Sequence, residues 1–167
     1  MVRVLKIDKN ENLLETIDIL YKQVWNHSIK ERLIKHSNYK GFRGYVINSD
    51  EGDIIGFSYG YTSSPGQYYH DLISNELSQI EYDKWLVDCF EFVELAVHPL
   101  YRNKGYGKLL INELLRGVKN RTVVLTTQSN NQSAHNLYQG LGWSVINESF
   151  IPENNDNTYS IMGKVLI

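Results

Sequence analysis

Apolar side chains change their spacing several times along this chain, and each spacing predicts a different element. Leu13, Leu14, Ile17, Leu20, Tyr21 and Val24 recur at three- and four-residue steps, the stripe of an amphipathic helix. Residues 2–7 before it alternate like a strand, and Ile29, Leu33 and Ile34 after it suggest a second short helix. Residues 44–48 and 54–61 read as a hairpin across the turn-prone stretch 48–53. Ser63-Ser64-Pro65-Gly66 is a loop, followed by an aromatic-rich stretch whose helix has Leu72, Ile73, Leu77 and Ile80 as its apolar side. Residues 90–97 form a strongly apolar strand closed by Pro99.

The second half punctuates itself more sharply. Leu110, Ile111, Leu114, Leu115 and Val118 make a helix face after Gly105, and the β-branched run 122–127 predicts a buried strand. Ala134, Leu137, Tyr138 and Leu141 then mark a short helix, opened by Ser129-Asn130-Asn131 and stopped around Gly140. Two strands, 143–150 and 159–167, close the chain across a polar turn at 153–157. The order β-α-α-β-β-(insert)-β-α-β-α-β-β contains one strand–helix–strand passage, 90–127, which requires a right-handed parallel crossover. The expected fold class is therefore mixed α/β (α+β), a mostly antiparallel sheet of about seven strands flanked by helices. With 167 residues, one domain over 1–167 is expected, with 62–89 as an insertion.

Composition narrows the function. The net charge of −2 argues against nucleic-acid binding through overall basicity. The single cysteine, Cys89, excludes an internal disulfide framework and a cysteine-based zinc site. No run of about 18 apolar residues is present to span a membrane, and residues 1–6 lack the apolar core of a signal peptide, so the expected compartment is the cytoplasm. The charges are unevenly placed. Seven acids against Lys84 lie between Tyr69 and Glu94, including Asp71, Asp83 and Asp88; six bases against Glu113 lie between His98 and Arg121. These blocks are either solvated faces or the two sides of a site that holds an anion and a cation.

The run Arg102-Asn103-Lys104-Gly105-Tyr106-Gly107-Lys108 stands between the 90–97 strand and a helix. A helix start exposes unpaired N–H groups and the positive end of the macrodipole. Gly105 and Gly107 let that backbone approach a bulky anion, and three bases add charge, so the run reads as a diphosphate cradle. A P-loop is excluded because Leu109 follows Gly107-Lys108 where Ser or Thr is needed. A dinucleotide fingerprint fits poorly because Leu110 stands where a third small residue belongs.

Residues 95–107, Leu-Ala-Val-His-Pro-Leu-Tyr-Arg-Asn-Lys-Gly-Tyr-Gly, resemble the acyl-CoA signature Gln/Arg-x-x-Gly-x-Gly/Ala of the GNAT superfamily of N-acyltransferases. A second stretch, Asn131 to Trp143, is similar to that family's N-x-x-A-x-x-L-Y-x-x-x-G-F segment, with Trp143 in place of Phe. The resemblance implies that the strands matching 92–97 and 122–127 splay apart to admit the pantetheine arm of acetyl-CoA, the cosubstrate. Backbone groups of Leu95, Ala96 and Val97 would hold the arm. Arg102, Asn103, Lys104, Gly105, Tyr106, Gly107 and Lys108 would hold the diphosphate, and Asn131 would add a contact.

The implied reaction is acetyl transfer to a primary amine by direct attack in a ternary complex. A protonated alkylamine must first lose a proton, so a base is needed. Glu94 and Glu91 are the candidates, Glu94 being nearer the implied thioester, with a water chain as the alternative. A backbone N–H near Ala96 would stabilise the oxyanion, and Tyr138 matches the family tyrosine that protonates the leaving thiolate, although it also falls on an apolar stripe. Cys89 reads as a small buried hydrophobe. His98 and His135 lack a third metal-type ligand at suitable spacing, so no metal is expected. The acidic block and nearby aromatics suggest a cationic small amine or lysine-like acceptor. No nucleic acid or membrane partner is expected, and a homodimer is left open. The rival reading is a non-catalytic acyl-CoA-binding or regulatory module.

Overall fold

A computed structural model describes residues 2–152 and 157–167; apart from Asn157, the 153–157 turn lies outside the described residues. The elements run β1 (Arg3–Lys6), α1 (Glu11–Trp25), α2 (Lys30–Ser37), β2 (Arg43–Asn48), β3 (Ile54–Thr62), α3 (Tyr68–Glu76), α4 (Gln79–Trp85), β4 (Cys89–Val97), α5 (Tyr106–Leu115), β5 (Thr122–Gln128), α6 (Gln132–Gly140), β6 (Ser144–Phe150) and β7 (Tyr159–Val165). The strand order is β1-β2-β3-β4-β5-β7-β6. β4 and β5 pair in parallel, while β1/β2, β2/β3, β5/β7 and β6/β7 pair antiparallel. This is the mixed, mostly antiparallel seven-stranded α/β arrangement that the element order predicts. None of the described helices is long and apolar enough to cross a membrane.

The chain divides into two compact units. One comprises Met1–Tyr61 with Val93–Val118. Its core joins Leu14, Ile17, Leu20 and Tyr21 of α1 to Leu33 of α2, Phe57, Tyr59 and Tyr61 of β3, and Ala96 of β4. Asn10 opens α1, its side chain accepting the N–H of Asn12 at 2.8 Å. Asn26 ends that helix in the left-handed region at φ 64°. Of the apolar positions that suggest α2, Ile29 and Leu33 are buried, but Ile34 is 42% exposed. The guanidinium of Arg43 closes the far end of α5 by donating to Arg116 O at 2.7 Å. Gly56 of β3 lets α5 sit close to the sheet, since a Cβ there would stand 3.2 Å from both Leu110 Cδ1 and the Ala96 carbonyl oxygen.

The other unit comprises Thr62–Phe92 with Lys119–Ile167. Its core gathers Ile73, Trp85, Leu86, Cys89, Val124, Phe150 and Ile161. The 62–89 stretch holds two helices, because Ser78 and Glu81 form a capping box that starts α4 afresh. The Leu72–Leu77 stripe therefore does not continue, and Ile80, expected on the apolar side, is 82% exposed. Trp85 takes the buried position in α4 instead.

Candidate functional site

In the first unit, the end of β4 carries the chain into the basic run. The His98 N–H donates to Ile55 O at 2.8 Å, and its Nδ1 accepts the N–H of Leu100 at 3.1 Å, opening a short turn over Pro99–Tyr101. Arg102 Nε donates back to Val97 O at 3.3 Å, which ties the loop to the strand end. Asn103 and Gly105 both lie in the left-handed region, at φ 61° and 84°, a conformation that Asn tolerates and Gly adopts freely. Gly105 is the N-cap of α5, and no side chain caps that helix. The first backbone bond is Leu109 N–H to Gly105 O at 3.1 Å, so the N–H groups of Tyr106, Gly107 and Lys108 have no intrahelical acceptor. A Cβ built on Gly105 would meet nothing within 4 Å, and Arg102, Lys104 and Lys108 are all exposed. The surface is open, amide-lined and cationic, which suits a bulky polyanion. On β4, the Ala96 side chain belongs to the core, and Leu95 and Val97 pack near Ile55 and Leu110; what these residues can offer a ligand is backbone.

Glu94 also lies in this unit, and it is not a solvated surface carboxylate. Its Oε1 accepts the guanidinium of Arg32 on α2 and the Tyr21 hydroxyl on α1, at 3.4 Å. Arg32 Nη2 also donates to the Tyr21 oxygen at 3.2 Å, so the three groups form a closed triangle. Burial pushes the Glu94 carboxyl up from its ordinary value, and the Arg32 charge and hydrogen bond bring it only part of the way back. The Tyr21 phenol is pushed up by burial and by the Glu94 charge. Some 14% of the Glu94 side chain stays exposed.

The second unit holds the remaining candidates. Glu91 is buried at 4% exposure, in the part of β4 where the parallel register runs from Cys89 and Thr122 to Glu91 and Val124. β5 itself continues to Gln128, held on its other side by β7. Tyr138 is the buried residue of α6. Its ring stands edge-on to Phe92, with centroids 6.1 Å apart, and tilts on Trp143 at 5.5 Å. Asn131 caps α6, its Oδ1 accepting the Ala134 N–H at 3.1 Å; its amide nitrogen is the group left to meet a ligand.

Several other side chains of this unit hold the structure together. Cys89 is fully buried, and burial together with the Glu91 charge pushes its thiol up, away from a reactive thiolate. Asp71 accepts the Gly66 N–H at 3.1 Å, Asp83 the Gln79 amide at 2.8 Å and Asp88 the Asn120 amide at 3.0 Å. Much of the acidic block is thus committed to local hydrogen bonds. Among the described residues, no group of three or more His, Cys, Asp or Glu could hold a metal. The sequence reading missed Arg32 and the polar role of Tyr21. Tyr21 sits on a core stripe, and Arg32 meets Glu94 across 62 positions, a pairing without a local pattern.

A family model described as the acetyltransferase (GNAT) family matches residues 10–143, which include the Gly105 loop, Glu94 and Tyr138. The chain belongs to this acetyltransferase family. No curated protein sequence matches it. Among solved structures, this GNAT chain is similar to NAA60 of Arabidopsis thaliana in complex with acetyl-CoA, at 16% identity and TM-score 0.74, covering 99% of each chain. It is similar to the ribosomal-protein-S18-alanine N-acetyltransferase of Escherichia coli, at 16% identity and TM-score 0.70, covering 99% of this chain and 94% of the other. It also resembles mutant forms of the spermidine/spermine N-acetyltransferase SpeG of Vibrio cholerae, at 16% identity and TM-score 0.64, covering 99% and 95%. At these identities the likeness concerns the fold.

Proposed function

We propose that this GNAT chain transfers an acetyl group from acetyl-CoA to a primary amine by direct attack in a ternary complex. The observation that carries the proposal is the uncapped, glycine-started N-terminus of α5, flanked by three exposed bases and fed directly by β4. The amides of Tyr106, Gly107 and Lys108, with Arg102, Asn103, Lys104 and Gly105, receive the diphosphate of acetyl-CoA. Backbone groups of Leu95, Ala96 and Val97 pair with the pantetheine amides as an added strand would, and the Asn131 amide adds a donor.

Glu94 accepts a proton from the acceptor ammonium. The freed amine forms a C–N bond to the thioester carbonyl, and the oxyanion is held by a backbone N–H near Ala96. As the C–S bond breaks, Tyr138 protonates the leaving thiolate and is reprotonated by the proton that the new amide nitrogen sheds. Glu91, buried and in the other unit, is the secondary candidate for the base. The acceptor is a small or lysine-like amine, the compartment the cytoplasm, and residues 62–89 shape acceptor choice within one acyltransferase domain.

A thiol-release assay over a panel of primary amines tests this reading. Acetyl-CoA-dependent release of one thiol per amide formed is expected with at least one amine. Acetyl-CoA binding without turnover on any amine would favour a non-catalytic acyl-CoA-binding module.

A further inference from the structure

We propose that Arg32, acting through Glu94, is the positioning residue of this site: its guanidinium locks Glu94 Oε1 and the Tyr21 hydroxyl together and leaves Oε2 as the oxygen that takes the acceptor's proton. The inference rests on the assignment of Glu94 as base. Its geometry is independent of that assignment, because the Tyr21 and Arg32 contacts both fall on the same carboxylate oxygen, Oε1. Among the described residues, no hydrogen bond to Oε2 accompanies them, and part of the side chain remains exposed.

The charged and titratable groups facing Glu94 are Tyr21 from α1, Arg32 from α2 and His27 from the link between those helices. Burial opposes the ionised carboxylate, and Arg32 is the principal group that opposes burial. Arg32 lies on one helix and Tyr21 on the other, so the packing of α1 against α2 sets the direction in which Oε2 points. A single nitrogen, Nη2, donates to both Glu94 and Tyr21, and the planar guanidinium fixes its two N–H directions. The freely rotating ammonium of a lysine would keep the charge but not those directions.

The test uses the full chain with ¹³C-labelled glutamate, the Glu94 signal being assigned by its loss in Glu94→Gln. In Arg32→Gln the Glu94 titration midpoint should rise by about one pH unit or more, and the acid limb of kcat/KM should move with it. Arg32→Lys should retain most of the midpoint while losing kcat. If Arg32→Gln does not fold, Tyr21→Phe, which removes one of the two bonds to Oε1, should alter the midpoint in a folded chain. An unmoved midpoint in folded variants overturns the proposal. So does an unmoved acid limb with only KM for the amine raised, which would make Arg32 an acceptor-binding residue. A midpoint that depends on Arg32 in a chain that releases no thiol would refute the transferase reading alone.

Discussion

The carboxylate of Asp18 on α1 accepts the backbone N–H of Ile29, the residue that opens α2, at 2.7 Å. The same oxygen takes the Lys30 N–H at 3.1 Å, and both oxygens accept the Ser28 hydroxyl. No side chain at Ile29 can cap α2, so a buried carboxylate from the neighbouring helix does so. Asp18→Ala leaves those N–H groups unmatched and should cost about 2 kcal/mol in urea unfolding. Burial alone would raise the Asp18 carboxyl, but the Ile29, Ser28 and Lys22 contacts outweigh it and hold it below its ordinary value. A depressed carboxylate contributes stability that is full above about pH 4 and fades as pH falls through the lowered value. Asp18→Asn should remove that part of the acid dependence.

His36 gives a second pH dependence in a different window. Burial, with help from Arg32 and Lys35, lowers its pKa to about 4 from an ordinary 6.5. Its ring packs on Tyr59 and Tyr61, and its Nδ1 lies 2.9 Å from the Tyr59 hydroxyl oxygen. Between these two pH values the unfolded chain binds a proton that the folded chain does not, so stability should rise with pH across the window. The gain is roughly 3 kcal/mol at most. Urea midpoints at pH 5 and pH 7.5 should differ in the wild type, and His36→Gln should shrink the difference.

Gly163 on β7 makes room for Trp85. A Cβ there would stand 2.7 Å from Trp85 Cε3 and from Ile146 Cδ1. Gly163→Ala should therefore displace the indole that anchors α4 and cost about 1–3 kcal/mol, read as a lowered thermal midpoint. Little change would mean that Trp85 can repack freely.

Much of this was legible in the sequence because the relevant signals are local. The strand, glycine and base pattern of 90–108 marked the open start of α5, and the seven strands followed from runs of β-branched and aromatic residues. Ile80, expected on an apolar side, and Ile34, one of the apolar positions that suggest α2, are both exposed, because a short helix offers too few residues to fix its phase. In α4 the capping box at Ser78 sets the phase instead. The Arg32–Glu94–Tyr21 triangle could not be read because its members come from three elements brought together by folding alone. The acidic block reads in the sequence either as a solvated face or as one side of a cation site, and the structure adds that Asp71, Asp83 and Asp88 each accept a nearby backbone or amide N–H. Counting charge does not reveal whether a carboxylate already has a partner.

Tyr138 combines packing with proposed chemistry, and the two roles can be separated. Its ring fills space between Phe92 and Trp143, a role that phenylalanine preserves. Tyr138→Phe should therefore leave the thermal midpoint within a few degrees while lowering kcat by about 100-fold, the scale of a lost general acid. A loss of stability with kcat unchanged would assign the residue to packing alone.

The diphosphate cradle is tested most directly by calorimetric titration of the full chain with acetyl-CoA and with S-acetylpantetheine, which lacks the diphosphate. Acetyl-CoA should bind at one site per chain, weaken with added salt and lose about 10-fold in affinity in Lys104→Gln/Lys108→Gln; S-acetylpantetheine should bind far more weakly and ignore those substitutions. Equal affinity for the two ligands, or acetyl-CoA binding indifferent to both salt and the lysines, would contradict the account.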